Sequence, residues 1–160
     1  MKTLCALIIF IFLSFPLEAQ DEHHDHEELT IKMSVEKVLK DYKNALESLD
    51  VSDTQHLFSE DATIFENGKF EGSYQDYLDN HIGPELGHFK EFTFNDYEVH
   101  IRLEGEIAIS FETYTYKIIL NGEKNSRIVE RQGTATSVLK NFDGNWKIIQ
   151  NHGSSREIRN

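Results

Sequence analysis

The C-terminal half of the chain constrains the fold most strongly, because long stretches of alternating hydrophobicity are separated by short turn signals. Strand-like alternation covers approximately residues 89–103, 107–120, 127–139 and 146–154. The segments between them contain Glu104-Gly105-Glu106, Asn121-Gly122 and Asp143-Gly144. Asn-Gly and Asp-Gly are strong hairpin signals, and strands joined by hairpins run antiparallel. This half is therefore predicted to form an antiparallel sheet.

The first of these strands is expected to contain an irregularity. Phe92 and Phe94 share one parity, whereas Tyr97, Val99 and the apolar residues after them share the other. A β-bulge or a bend near Asn95-Asp96 would place both groups on the same face of the sheet.

Helical patterns precede the strands. From Ser34 to Leu49, apolar residues recur every three or four positions, which is typical of one helix face, and Ser34 suits the N-cap. A short helix over Asp53–Phe58, a hairpin at Asn67-Gly68 and a helix from Ser73 to Ile82, ended by Gly83-Pro84, are predicted next. Helices followed by an antiparallel sheet indicate the α+β class.

The last hairpin carries the most specific pattern, formed by Gly133, Thr136, Asp143, Gly144, Trp146, Lys147, Ile148, His152 and Ser154. With the order of helices and strands, it resembles the SnoaL-like branch of the nuclear transport factor 2-like superfamily over about residues 34–156. The resemblance implies a cone-shaped, strongly bent antiparallel sheet packed by N-terminal helices, with an apolar pocket. It also implies a homodimer. Relatives include enzymes and non-catalytic binding domains, so fold alone does not decide function.

The first nineteen residues have the three parts of a secretory signal: Lys2, an apolar run over Leu4–Phe15, and Leu17-Glu18-Ala19 before the expected cleavage point. The apolar run is shorter than the ~20 residues that span a bilayer. An uncleaved membrane anchor is the alternative. We expect a signal peptide over residues 1–19, export to the periplasm or the medium, and no stable membrane association after cleavage.

Residues 20–33 form a polar segment, which we call the leader, and contain DEHHDHEE at positions 21–28. Because residues 21–28 contain no apolar side chain to bury, the leader is predicted to be disordered. His23, His24 and His26 could bind zinc or copper, but they lack the i, i+4 pairing of a helical site. A solvated linker without metal is the favoured interpretation, with the domain at 34–156 and a tail at 157–160.

Charge and motif content exclude several classes of function. The formal net charge of −12 argues against nucleic acid and anionic membranes as partners. The single cysteine, Cys5, lies in the predicted signal, so the processed chain has no thiol chemistry. The sequence contains no nucleophile elbow, phosphate loop or dinucleotide fingerprint. We therefore expect a small-molecule ligand, no cofactor and no metal.

Glu112 is the leading candidate for pocket chemistry, since it lies mid-strand on the face that also carries Tyr114 and Tyr116. In ketosteroid isomerase-like relatives, a carboxylate in an apolar cavity removes a proton beside a carbonyl, and a tyrosine stabilises the oxyanion. The alternative, which we favour, is a structural cross-strand salt bridge between Glu112 and Arg131.

Two histidines are further candidates. His81 is one helical turn from Tyr77, and His152 lies on the last predicted strand. Each histidine could act as a base or have a structural role. The residues expected to line the pocket are Phe65, Tyr77, His81, Glu112, Tyr114, Arg131 and His152.

Two functions follow from these candidates. The first is binding of a small, largely apolar ligand with no assignable reaction. The second is a cofactor-independent lyase or isomerase of the ketosteroid isomerase-like type, with Glu112, His81 or His152 as general base. A buried, unpaired acid that faces a tyrosine hydroxyl would favour the second.

Overall fold

The computed structural model describes residues 18–122 and 127–158, with the backbone alone described for residues 18–24. The chain begins with helix α1 (Glu18–Glu47), a 3-10 turn (Gln55–Leu57) and strands β1 (Phe58–Glu66) and β2 (Lys69–Ser73). A helical segment follows, made of α2 (Tyr74–Tyr77), a π turn (Leu78–Ile82) and α3 (Gly83–Leu86). The remaining strands are β3 (Phe89–Glu104), β4 (Ile107–Leu120), β5 (Ile128–Phe142) and β6 (Asn145–Glu157). The predicted α+β class is confirmed.

The strands of the described residues form one curved, unclosed sheet in the order β2-β1-β6-β5-β4-β3. Consecutive strands along the β3-to-β6 run pair antiparallel, as predicted. β1 and β6 pair parallel, which the sequence pattern did not predict. No hairpin joins these two strands, so their relative direction depends on the path of the whole chain. Helix α1 contacts β3 and β6, and the hydrophobic core lies between the helix and the sheet.

Backbone conformation confirms the two-residue turns predicted at Asn67-Gly68 and Asp143-Gly144. Asn67 and Gly68 have φ values of 49° and 83°, and Asp143 and Gly144 have values of 52° and 89°. Positive φ at both central residues is what a type I′ hairpin requires, and this is why Asn-Gly and Asp-Gly predicted these positions.

The bulge predicted in β3 is also confirmed. The register between β3 and β4 shifts between Asn95 and Glu98, and Asp96 has a φ of 51°. The extra residue changes the parity of the strand, so Phe92 and Ile101 are both buried in the core. A bulge bends the strand that carries it, which contributes to the curvature of the sheet.

The helical segment after β2 extends beyond its predicted end, because Gly83-Pro84 does not terminate it. In the π turn, the Gly83 amide donates to the Leu78 carbonyl, and a Cβ at position 83 would overlap that oxygen. Pro84 then lies in the first turn of α3, where the missing N–H costs no helical hydrogen bond. The segment therefore continues to Leu86.

Helix α1 begins earlier than predicted. It runs from Glu18 through the leader, whereas the sequence pattern predicted disorder there and a helix start at Ser34. Residues 25–30 are exposed, Ile31 packs against the edge of the core, and the fully buried positions begin at Val35. Residues 25–30 are therefore helical although they contribute nothing to the core. A packed helix can propagate into a polar extension, since only initiation is costly, and the Lys32–Glu28 ion pair supports that extension.

Residues 1–17 of the predicted signal peptide lie outside the described residues. Export remains a prediction. Within the described part of the chain, no helix has both the length and the apolar character that crossing a bilayer requires.

Candidate functional site

A cavity of about 150 Å³ lies between α1 and the sheet. Its wall is largely apolar and aromatic, with side chains from α1 and from most of the strands: Leu39, Leu46, Ile64, Phe65, Phe89, Phe92, Phe94, Ile118 and Ile148. A few polar side chains interrupt this wall. Mostly apolar cavities with few polar groups are typical of small-molecule sites, and a cavity of about 150 Å³ in another protein holds benzene.

A buried ion pair crosses the cavity. The Lys43 ammonium, from the C-terminal end of α1, donates to Glu112 Oε2, from the middle of β4. The Lys43 side chain is 12% exposed and the Glu112 side chain 1%. Because removing either partner would leave a buried charge without its counter-charge, the pair fixes the helix against the sheet.

The Glu112 carboxylate accepts hydrogen bonds at both oxygens. Tyr97 Oη donates to Oε2 over 3.0 Å, and the hydroxyls of Ser110 and Ser137 donate to Oε1 over 3.3 and 3.4 Å. Asn151 Nδ2 in turn donates to Ser137 Oγ over 2.8 Å. Counting the Lys43 ammonium, four donors therefore use the hydrogen-bonding capacity of the carboxylate.

The predicted pairing of Glu112 with Arg131 is wrong. In the β4–β5 register, Glu112 lies opposite Ala135, whereas Arg131 lies opposite Tyr116. Arg131 donates to the hydroxyl and the carbonyl oxygen of Ser155, at 3.0 and 3.1 Å. Glu112 has the structural ion pair that we favoured, but its partner comes from the helix instead of the neighbouring strand.

Three aromatic rings surround the Lys43 ammonium. It lies 5.6 Å from the ring centroid of Phe94, 4.8 Å from that of Tyr97 and 5.1 Å from that of Tyr114, within cation–π range. Burial raises the pKa of the Tyr97 and Tyr114 phenols, and the nearby Glu112 charge raises it further. Both phenols therefore keep their protons and can act as hydrogen-bond donors.

Tyr114 reaches this position because its partner on β5 has no side chain. Gly133 lies opposite Tyr114, and a Cβ at residue 133 would overlap the Tyr114 ring. The glycine in the C-terminal sequence pattern is thus explained by close packing at the cavity wall.

Acidic side chains cluster around Tyr77, which lines the cavity. Tyr77 Oη donates to Glu66 Oε2 over 2.6 Å, and burial together with the neighbouring Tyr42 and Glu66 raises the pKa of Tyr77. Behind Tyr77, the His81 ring nitrogens lie 3.6 Å from Glu66, 3.1 Å from Glu71 and 3.4 Å from Glu85. Among the described residues, no group of side chains is arranged to hold a metal ion.

The structure brings together part of the predicted pocket. Phe65, Tyr77, Glu112 and Tyr114 line the cavity. Within the part of the chain that the structure describes, three predicted residues do not line it: His81, Arg131 and His152.

His152 lies outside the cavity because the β5–β6 register shifts between Val138 and Leu139. Simple alternation from Trp146 and Ile148 would put His152 on the inner face, but the shift changes the parity. Asn151 and Gly153 line the cavity in its place, and His152 is exposed. The outward position of His152 therefore has the same kind of physical origin as the predicted bulge in β3, namely an extra residue that changes the parity of a strand.

The most important residue missed by the sequence analysis is Lys43. Leu39, Lys43 and Leu46 are spaced as i, i+4 and i+7, so the lysine occupies a position of the apolar stripe. A charge at a core position indicates a buried counter-charge, and this signal was available in the sequence. Its partner, 69 residues away, was not identifiable from local pattern.

Residues 35–156 match the family model described as "SnoaL-like domain". A comparison with curated proteins gives no significant match.

Several solved structures are similar. A nuclear transport factor 2-like superfamily protein from Salmonella enterica is 17% identical, with 83% of this chain and 96% of that chain covered and a TM-score of 0.71. A protein from Shewanella frigidimarina, named a "putative ketosteroid isomerase", is 28% identical, with 76% and 94% covered and a TM-score of 0.58. A hexachlorocyclohexane dehydrochlorinase from Novosphingobium barchaimii is 13% identical, with 84% and 92% covered and a TM-score of 0.70. These likenesses show the nuclear transport factor 2-like fold.

Proposed function

This chain belongs to the family of SnoaL-like domains, and from that premise we propose that its cavity binds a small, largely apolar molecule. The observation that carries the proposal is an aromatic and aliphatic cavity whose buried carboxylate is already fully hydrogen-bonded. Such a cavity supplies apolar contact area to a ligand without presenting a free general base.

A second candidate is a cofactor-independent lyase or isomerase of the ketosteroid isomerase-like type. It is favoured by the name of the Shewanella protein and by the Tyr97 hydroxyl 3.0 Å from the Glu112 carboxylate. Against it, a general base needs an oxygen that can reach the substrate proton, and both Glu112 oxygens are engaged. His81 and His152 do not line the cavity within the described residues. Binding therefore remains the first proposal.

We also propose that the domain acts after export, in the periplasm or medium, as a homodimer formed through the outer face of the sheet. The signal-like first nineteen residues support export. Phe111, on the strand face opposite to that of Glu112, is 48% exposed, which supports an interface there.

The binding proposal is tested with ethylbenzene, a probe with one aromatic ring, by isothermal titration calorimetry. We expect saturable binding to the unmodified protein. Ala135→Leu fills the cavity from β5 and should weaken binding by at least about tenfold, because a packed interior cannot accommodate both groups. Thr136→Leu adds a side chain of the same size on the opposite face of the strand and should leave the affinity unchanged.

Because Ala135 is buried, melting temperature is measured for each variant, and Ile118→Trp serves as a second filling variant at a less buried position of the lining. Absence of saturable binding of both ethylbenzene and acetophenone, a ketone of similar size, to the unmodified protein would contradict the proposal. Equal binding to the filled variants and to Thr136→Leu would place the probe elsewhere and would also contradict it.

A further inference from the structure

The Lys43 ammonium has donors that the protein does not use. An ammonium group carries three N–H donors and has no acceptor. Among the described residues, only Glu112 Oε2 accepts a hydrogen bond from it. The aromatic rings around the ammonium interact with its charge, but they do not replace a hydrogen-bond acceptor. Lys43 also lines the cavity, so the remaining N–H groups are available to a bound molecule.

The Tyr114 hydroxyl is a second available donor. It has no hydrogen-bond partner among the described residues, yet every fully buried polar side-chain atom in that part of the chain has one. The Tyr114 hydroxyl is therefore not fully buried. Because the Tyr114 side chain lines the cavity, a molecule in the cavity can reach its hydroxyl.

Other tyrosines of the site already use their hydroxyls. Tyr77 donates to Glu66, Tyr97 donates to Glu112, and Tyr116 donates to Ser155 Oγ over 3.0 Å. Tyr116 is two residues from Tyr114 on the same face of β4 and also lines the cavity. The two tyrosines therefore lie on the same strand and face and line the same cavity, but only the Tyr116 hydroxyl has a hydrogen-bond partner within the described part of the chain. This makes them a matched pair.

Charge on the cavity wall decides which acceptor suits these donors. Within the described residues, the lining carries one cation, Lys43, and three carboxylates, those of Glu66, Glu85 and Glu112. Because Glu112 already compensates the Lys43 charge, a second anion would enter a negative environment. A neutral acceptor oxygen avoids this repulsion.

We infer that Lys43 and Tyr114 together hydrogen-bond one neutral acceptor oxygen, of the carbonyl type, on the ligand. The two donors lie on opposite walls, on α1 and β4, with the ammonium 5.1 Å from the Tyr114 ring centroid. The aromatic wall then contacts the apolar body of the ligand. This inference rests on the proposed function, and it assigns the chemical class of the ligand: a small neutral carbonyl compound, in preference to a hydrocarbon or a carboxylate.

The test uses three probes of similar size, acetophenone, ethylbenzene and benzoate, titrated calorimetrically into the unmodified protein. Acetophenone should bind about tenfold more tightly than ethylbenzene, since it gains the two hydrogen bonds. Benzoate should bind more weakly than acetophenone because of the carboxylates of the lining.

Variants then assign the preference to the two donors. Tyr114→Phe should reduce the acetophenone-to-ethylbenzene affinity ratio about fivefold, because it removes one donor and keeps the ring. Tyr116→Phe, the matched comparison at a lining residue whose hydroxyl already donates to Ser155, should reduce that ratio much less than Tyr114→Phe does. Lys43→Met combined with Glu112→Gln removes the ammonium without leaving a charged partner behind, and should abolish most of the preference.

The outcomes separate the inference from the proposed function. Equal affinity for acetophenone and ethylbenzene, or equal effects of Tyr114→Phe and Tyr116→Phe, would overturn the inference and leave apolar binding intact. Tighter binding of benzoate than of acetophenone would overturn the neutral-acceptor assignment. Failure of both acetophenone and ethylbenzene to bind would overturn the proposed function and the inference with it.

Discussion

At the scale of single residues, the Lys43–Glu112 pair connects stability to the cavity. Its members come from different elements and lie in a low-exposure environment, with hydrogen bonds from Tyr97, Ser110 and Ser137 completing the site. A buried ion pair of this kind adds little to the free energy of unfolding relative to well-packed apolar residues of similar volume. Removing one of its two members, however, lowers that free energy strongly, because the other charge stays buried without a partner. The same side chains that position the helix also form the polar part of the cavity wall.

A double-mutant cycle on Lys43 and Glu112 tests this role. Lys43→Met and Glu112→Gln should each lower the free energy of unfolding by about 3–5 kcal/mol, because each leaves one buried charge unpaired. The double variant should lose less than the sum of the two, by about 1–3 kcal/mol, measured by chemical denaturation.

Arg131→Met provides the control for that cycle. Arg131 donates hydrogen bonds to Ser155, and it lies four positions along β5 from Ala135, the residue opposite Glu112 in the sheet. It should be additive with Glu112→Gln. Near-native stability of Glu112→Gln would contradict the structural pair and would restore Glu112 as the leading general base.

At the scale of elements, α1 has two parts with different energetics. Its second part packs on the sheet through Val35, Leu39 and Leu46, which are all buried. In its first part, residues 25–30 are exposed. Helix formation there adds backbone hydrogen bonds but buries little apolar surface, and surface ion pairs contribute only a few tenths of a kcal/mol each.

Deletion of residues 20–28 from a protein that begins at Gln20 should therefore leave the melting temperature nearly unchanged, as measured by differential scanning calorimetry. Deletion of residues 20–39 is the comparison, because it removes Val35 and Leu39 from the core and should cause a large loss of stability or failure to fold. A decrease of several degrees for the shorter deletion would show that the leader packs on the domain or on a second copy.

At the scale of the whole molecule, the proposed export would decide which form of the protein acts. Cleavage after Ala19 would leave 160 − 19 = 141 residues and would remove Glu18 and Ala19 from α1. The core begins further along the helix, so cleavage leaves the domain and its cavity complete.

Expression of the full chain in a bacterial host should give a periplasmic or secreted protein whose intact mass begins at Gln20 or very near it, because Ala19 is the small residue before the cleavage point. Ala19→Arg, which places a large charged residue there, should retain the unprocessed mass. An intact mass that includes residues 1–19 in the unmodified protein would contradict the signal-peptide prediction.

Local sequence preferences determined the hairpin turns, the bulge and the faces of β4 in this protein. Asn67-Gly68 and Asp143-Gly144 specified hairpins because these residues adopt positive φ, and the change of parity around Asn95-Asp96 specified a bulge. Alternation along β4 placed Glu112 on the face of Tyr114, and the order of helices and strands with the C-terminal pattern identified the fold.

Tertiary structure alone decided the features that depend on distant partners. Lys43 meets Glu112 across 69 residues, and β1 pairs with β6 in parallel without a connecting hairpin. The register shift in β5–β6 turned His152 outward, since a one-residue slip reverses every side chain beyond it. The leader became helical because it continues a helix packed elsewhere. The sequence pattern indicates local backbone preference and the parity of each strand. Which charges and which strands pair depends instead on how the folded chain brings distant residues together.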